Sequence, residues 1–268
     1  MSTVTYALEH FYYGQSPDHP EPQLLAKSQG VESEQVDEAI ESALIPPADT
    51  PTGAWGLIRG KHANPFVMVQ AQTTPANHTV WHFIIMPSDV LRAVGGNLKA
   101  IVSLTESQVP TFSKLSTKLQ QLLLDHPPII SSDEQIDDIL ELMNYTHNQI
   151  DIIESLLAGI VQGVPMVVQG APTDLATRVQ FLQGLLALLP PSARFGVTFA
   201  THTLESTKID AQIRFYGGEK LSRQTLVYAW QKGKLGGNVV ADNYSHFVAS
   251  QLRLDAELVS QQTRNLTA

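Results

Sequence analysis

The chain contains no cysteine in 268 residues. That absence excludes disulfides, a thiolate nucleophile and any zinc site built on sulfur. Charge is scarce as well: charged residues make up 16%, and 17 basic against 26 acidic side chains give a formal charge of −9. Nowhere do more than two or three basic residues cluster, so the chain repels nucleic-acid phosphates and anionic lipid, and neither is expected as a partner. Long apolar runs are missing too. Stretches such as Leu185 to Leu189 fall far below the roughly 20 residues that span a bilayer. Met1 to Leu8 shows no basic region followed by an apolar run, so no secretory signal is expected and a cytoplasmic location is. The Asn-x-Thr sequons at Asn77, Asn144 and Asn265 are then chance matches.

Catalytic signatures are equally sparse. There is no Gly-x-Ser-x-Gly nucleophile elbow and no Lys-bearing phosphate loop. The turn Gly170-Ala171-Pro172-Thr173-Asp174 leads from an apolar run into a helical pattern, where a phosphate site would lie. Pro172 removes one amide from it and Asp174 adds a negative charge, so it reads as an ordinary strand–helix turn. His78 and His82 stand four apart, but their flanks are β-formers, and a strand separates such side chains by roughly 13 Å. They cannot share a metal. Glu9 and His10 are adjacent, which in a strand sends them to opposite faces. Asp133, Glu134, Asp137 and Asp138 crowd a helix start, where acids favour the dipole. No catalytic residue, metal ligand or cofactor is expected. Arg59, Lys61 and His62 form one small basic loop that would suit an anion or an acidic partner, although a solvated tip explains it as well.

What is present is apolar substance for real cores: hydrophobic residues reach 43%. Val4 to Tyr12 alternates like a strand, Gly14 to Pro22 carries three prolines and reads as loop, and Gln23 to Lys27 as a short strand. Glu34 to Leu44 has apolar residues at three-and-four spacing, a helix stopped by Pro46-Pro47. Strands follow at Ala54 to Arg59, Phe66 to Gln72 and Thr79 to Met86, linked shortly enough to be antiparallel neighbours. Ser88 to Val94 reads as a short helix closed by Gly95-Gly96, and Phe112 to Leu124 as a second helix.

The pattern changes at His126-Pro127-Pro128, where a domain boundary is expected, giving an α+β domain over 1–127 and a smaller α/β lobe over 128–268. Asp133 to Gln162 is helical with a break near Asn144 to Asn148, and Ser132 with Gln135 makes a capping box. Val164 to Gln169 reads as a buried strand, Asp174 to Leu189 as a long helix and Gly196 to Thr201 as a strand parallel to the first. Ala211 to Tyr216 and Thr225 to Trp230 are further strands. Asp242 to Val259 is a final helix, and Gln261 to Ala268 a frayed tail.

Three stretches resemble a known family. Val164-Pro-Met-Val-Val-Gln-Gly170, the helix after it, the corner Leu188-Leu189-Pro190-Pro191-Ser192-Ala193-Arg194 and the strand Gly196 to Thr201 look like the middle domain of bacterial GTPase-associated proteins. Trp81-His82-Phe-Ile-Ile-Met-Pro-Ser-Asp89 with Gly95-Gly96-Asn97 resembles the N-terminal domain of that family, as does Gln23 to Gly30. The resemblance covers roughly residues 1 to 205. It implies a structural role for Trp81, His82, Gly95, Gly96, Asn97, Pro190, Pro191 and Arg194, and a non-enzymatic adaptor or regulator with a GTPase or other protein as partner. The order of elements in the first half is also similar to a longin-like arrangement, a five-stranded antiparallel sheet with helices on its faces. Followed by an α/β lobe, that layout resembles DENN modules. Two alternatives stay open: an enzyme or small-ligand protein with a site between the lobes, and a self-associating structural subunit.

Overall fold

The structure, a computed structural model, describes residues 4–61, 66–105, 117–125, 130–204, 208–216 and 221–266. The chain is mixed α+β. In order, the strands and helices are β1 (Thr5–Leu8), β2 (His10–Ser16), β3 (His19–Ser28), α1 (Ser33–Ala43), β4 (Ala54–Arg59), β5 (Phe66–Thr73), β6 (Thr79–Ile85), α2 (Ser88–Val94) and α3 (Leu98–Val102). Then come β7 (Thr117–Leu119), β8 (Leu122–Asp125), α4 (Ser132–Tyr145), α5 (Ile150–Val161), β9 (Met166–Gln169), α6 (Leu175–Ala187) and α7 (Pro191–Arg194). Last are β10 (Phe199–Thr203), β11 (Ile213–Tyr216), β12 (Leu226–Ala229), β13 (Lys234–Gly237), α8 (Asn243–Leu252) and α9 (Ala256–Asn265).

Two compact units form. The first takes Met1–Val94, Lys99–Pro128 and Thr198–Ala211, the second Gly95–Leu98, Ile129–Val197 and Gln212–Ala268. The chain passes between the two units five times.

In the first unit the strands run in the order β10-β4-β5-β6-β2-β3-β7, with β1 and β8 as a separate antiparallel ribbon. From β4 to β3 every neighbouring pair is antiparallel. Side chains alternate between two faces. Phe11, Val67, Val69, Ala71, Trp81, Phe83 and Ile85 gather with Val36, Ala39 and Ala43 of α1 in one buried cluster. That is the core, and α1 forms as the spacing predicts. On the opposite face the register aligns Gln70 with His82, His82 with Tyr12 and Tyr12 with Ala26, which sets a partly polar row across four strands.

Three expectations fail here. The proline-rich stretch Gly14 to Pro22 is mostly strand: β2 runs to Ser16 and β3 starts at His19. Pro20 and Pro22 are tolerated because β7 pairs only with Ala26 to Ser28, leaving the proline end of β3 at an edge. The helix expected over Phe112 to Leu124 is absent from 117–125, which form β7 and β8, while residues 112–116 lie outside the described ones. Leu123 is exposed and Leu124 buried, a period of two that pairing with β1 imposes. Most consequentially, β10 is not the parallel partner of β9. It joins β4 antiparallel, Phe199 opposite Leu57 and Ala200 opposite Gly56.

In the second unit the strands run β13-β12-β9-β11. A parallel arrangement exists, but its members are β9 with β11 and β9 with β12. An apolar run states that a strand is buried without saying which neighbour it takes. The helical break falls as expected, with His147 and Asn148 at φ 55° and 57° between α4 and α5. The capping box sits one residue earlier than expected: Ser131 Oγ accepts the Glu134 N–H and Glu134 accepts the Ser131 N–H. The single C-terminal helix is two, α8 and α9, because Asp255 caps a new start, and α9 continues to Asn265 where a frayed tail was expected.

Candidate functional site

The densest buried chemistry of the first unit grows out of strand register. Tyr12 lies opposite His82 and His10 opposite Ile84, so His10 and His82 are diagonal neighbours on one face. Such a diagonal is within reach of ring side chains. Their nitrogens meet: His10 Nδ1 lies 2.9 Å from His82 Nε2, and His10 Nε2 lies 2.7 Å from the Gln120 carbonyl oxygen. The Tyr12 ring stacks on His82 at 4.2 Å. His10 is 5% exposed and His82 1%.

A carbonyl can only accept, so His10 carries its proton on Nε2 when neutral. His10 Nδ1 is then an acceptor and His82 Nε2–H donates to it. Burial, with His10 beside it, pushes the His82 imidazole down to about 3, so it stays neutral at any ordinary pH. Ser28 closes the far side. The His10 backbone N–H donates to Ser28 Oγ at 2.9 Å, and the Ser28 hydroxyl reaches the Glu9 carboxylate. Glu9 also accepts from the Gly30 N–H at 3.1 Å and from the Gln121 amide. Burial alone would raise the Glu9 carboxyl, yet the bonds from Ser28, Gln121 and Gly30 and the nearby His10 hold it below its usual value. Glu9 lies between β1 and β2 rather than within a strand, and Ser28 joins its carboxylate to the His10 backbone.

The remaining predicted residues fall in separate places. Trp81 is on the core face, its indole N–H donating to the Ile45 carbonyl at 2.6 Å. His78 precedes β6, and its backbone N–H is held by Thr74. Arg59 lies over the Phe66 ring at 5.4 Å, while Lys61 is 3.8 Å from Glu41 and its backbone N–H meets Glu38. His62 lies outside the described residues. Arg59 and Lys61 are thus engaged with their own unit.

The second unit holds the corner. Pro190 precedes α7, whose first residue is Pro191. Arg194 turns back, its Nε–H donating to the Leu189 carbonyl at 2.9 Å and its Nη1 to the Gly95 carbonyl at 3.4 Å. Gly95 and Gly96 adopt φ 61° and 83°, followed by the half-buried Asn97. A Cβ on Gly96 would come within 2.6 Å of the Arg194 Cδ, so this glycine is also a steric requirement. The side chain of Gln183 on α6 accepts the Leu98 N–H and donates to the Gly96 carbonyl. At the Gly170 turn, Asp174 accepts the Thr177 N–H at 2.8 Å and caps α6, the structural role its sequence suggests. Asp133, Glu134 and Asp137 are exposed, whereas Asp138 is 3% exposed and accepts from Gln180.

No group of three or more His, Asp or Glu among the described residues assembles into a metal site. The imidazole pair escaped the sequence reading. Its signal was there: Gln70, His82, His10 and Tyr12 are polar residues at alternate positions of otherwise apolar strands. No protein-family model matches the chain, and no curated protein matches it.

Proposed function

We propose that the protein is a non-catalytic interaction module that serves a bacterial GTPase system as adaptor or regulator. The observation that carries this reading is the distribution of side chains. Two of the histidines, His10 and His82, are buried and bonded to the protein itself. Large apolar side chains stand out instead: Leu123 is 66% exposed, Leu254 74% and Phe247 42%. A protein partner laid over them would bury this apolar area. The stretches Trp81 to Asn97 and Val164 to Thr201 are similar to GTPase-associated proteins, and that likeness names the partner class. The antiparallel run β4-β5-β6-β2-β3 beside α1 supports a longin-like platform in the first unit. Among the described residues no helix is long and apolar enough to cross a membrane.

Calorimetry with any GTPase encoded beside it, in each nucleotide state, tests the reading. Binding in at least one state is expected, weakening as salt rises because the chain is acidic. No binding in any state would remove the GTPase assignment.

A further inference from the structure

Residues 117–125 are held to the first unit by few strand bonds. β7 lies at the outer end of the sheet and pairs with β3 only along Thr117, Lys118 and Leu119. β8 pairs with β1 in a ribbon separate from that sheet. Between them the link Gln120–Gln121 is exposed, yet two consecutive side chains grip it. His10 Nε2–H donates to the Gln120 carbonyl at 2.7 Å, and the Gln121 amide donates to the Glu9 carboxylate. Both arms come from residues that ionise, so the strength of the grip follows their charge. A hydrogen bond with one ionised partner is roughly twice as strong as a neutral one.

An extra proton on His10 must sit on Nδ1, because Nε2 already carries one. There it meets the hydrogen of His82 Nε2, 2.9 Å away, and two donors cannot share that gap. His82 resolves the conflict without taking charge: with its own hydrogen on Nδ1, its Nε2 becomes an acceptor. The His10 cation then keeps both bonds, and the one to Gln120 becomes charge-assisted. The neighbours favour charge on His10. The Glu9 carboxylate attracts it, and His82 stays neutral down to about 3, so the first proton goes to His10. Tyr12 meets His10 edge-on at 6.0 Å, and β3 presents the uncharged Ser28. Lys27 and Lys118 alternate to the other face of β3 and β7, and Asp125 pairs with Thr5 at the far end of the ribbon.

We propose that His10 and His82 form a proton-operated clasp: protonation of His10 switches His82 to its other neutral tautomer and fastens residues 117–125 more tightly to β2. The net change is one proton gained. The hydrogen between the rings ends on His10 Nδ1, and His82 carries the other on its own Nδ1. Glu9 is held below its usual value, so its carboxylate stays ionised while His10 gains its charge. Mild acid is therefore the condition in which both arms are charged and the grip is firmest. The proposal is independent of the GTPase reading.

Nitrogen-15 NMR of the histidine side chains in the full chain, from about pH 8 to about pH 5, tests it. His82 should show its hydrogen on Nε2 at the alkaline end and on Nδ1 at the acid end, switching at the pH where His10 gains its charge. Backbone hydrogen exchange of residues 117–125, corrected for its intrinsic pH dependence, should slow about threefold or more over that range relative to β5. Gln121→Ala, an exposed substitution that removes only the Glu9 arm, should speed that exchange at every pH and keep the acid slowing. His82 holding one tautomer throughout, exchange that is unchanged or faster in mild acid, or loss of the slowing in Gln121→Ala overturns the proposal.

Discussion

His82 shows how one buried ring can govern acid stability. Because burial lowers its folded value to about 3 from the usual 6.5, the unfolded chain binds a proton that the folded one refuses. Its contribution is present above pH 6.5 and is lost as pH falls toward 3, at about 1.4 kcal/mol per unit. Roughly 2 kcal/mol should therefore disappear between pH 6.5 and 4.5. Glu9 and Asp174, both held below their usual values, have the same sign, but their losses begin nearer pH 4.5 and below. Replacing the ring separates these effects. His82→Phe strips His10 Nδ1 of its donor and should cost about 1–3 kcal/mol at pH 7.5. It should also flatten the slope between pH 6.5 and 4.5, so the two stability curves converge in acid. Denaturant titrations across that range give the answer, and parallel curves would show that His82 is not the titrating group.

At the scale of elements, local chemistry was legible and partner choice was not. The spacing of Val36, Ala39 and Ala43 gives α1, and Asn148 with its neighbours gives the break between α4 and α5, because both depend on residues close in sequence. The placement of β10 depends on β4, far away in the chain. Gly56 lets the strands approach, since a Cβ there would sit 3.2 Å from the Phe199 carbonyl, and Thr201 Oγ1 accepts the Trp55 N–H at 2.8 Å. Neither feature announces itself in a run of apolar residues. The imidazole pair was hidden in the same way, since its two members come from β2 and β6. Helix packing offers a sharper test. Gly184 on α6 would, with a Cβ, stand 2.6 Å from the Asp138 backbone oxygen and 2.7 Å from Leu142 Cβ, both on α4. Alanine gains up to about 1 kcal/mol in helix propensity, but backbone cannot yield as a flexible side chain would. The clash should win, so Gly184→Ala is expected to destabilise by about 1–3 kcal/mol in chemical denaturation. At the start of the same helix, Asp174→Ala should cost about 1 kcal/mol through loss of the cap to Thr177.

The path of the chain sets what can be separated at the scale of the molecule. A change of pattern near Pro127-Pro128 suggests cutting there, and a fragment ending at 128 retains β1 to β8 and α1. It loses Thr198–Ala211, which the first unit takes back from the far end of the sequence. Without β10, strand β4 becomes an edge, and the Trp55 N–H loses Thr201. Ala200, Ile209 and Ala211 also leave the core cluster beneath α1. An exposed apolar edge is a template for pairing with another chain. The fragment 1–128 should therefore melt well below the full chain and associate as its concentration rises. Adding residues 198–211 back through a flexible linker should restore a monomer, because the segment needs only to reach β4. Light scattering and thermal melts of the two fragments decide the matter: equal stability and a monomeric 1–128 would mean that β10 contributes little to the first unit.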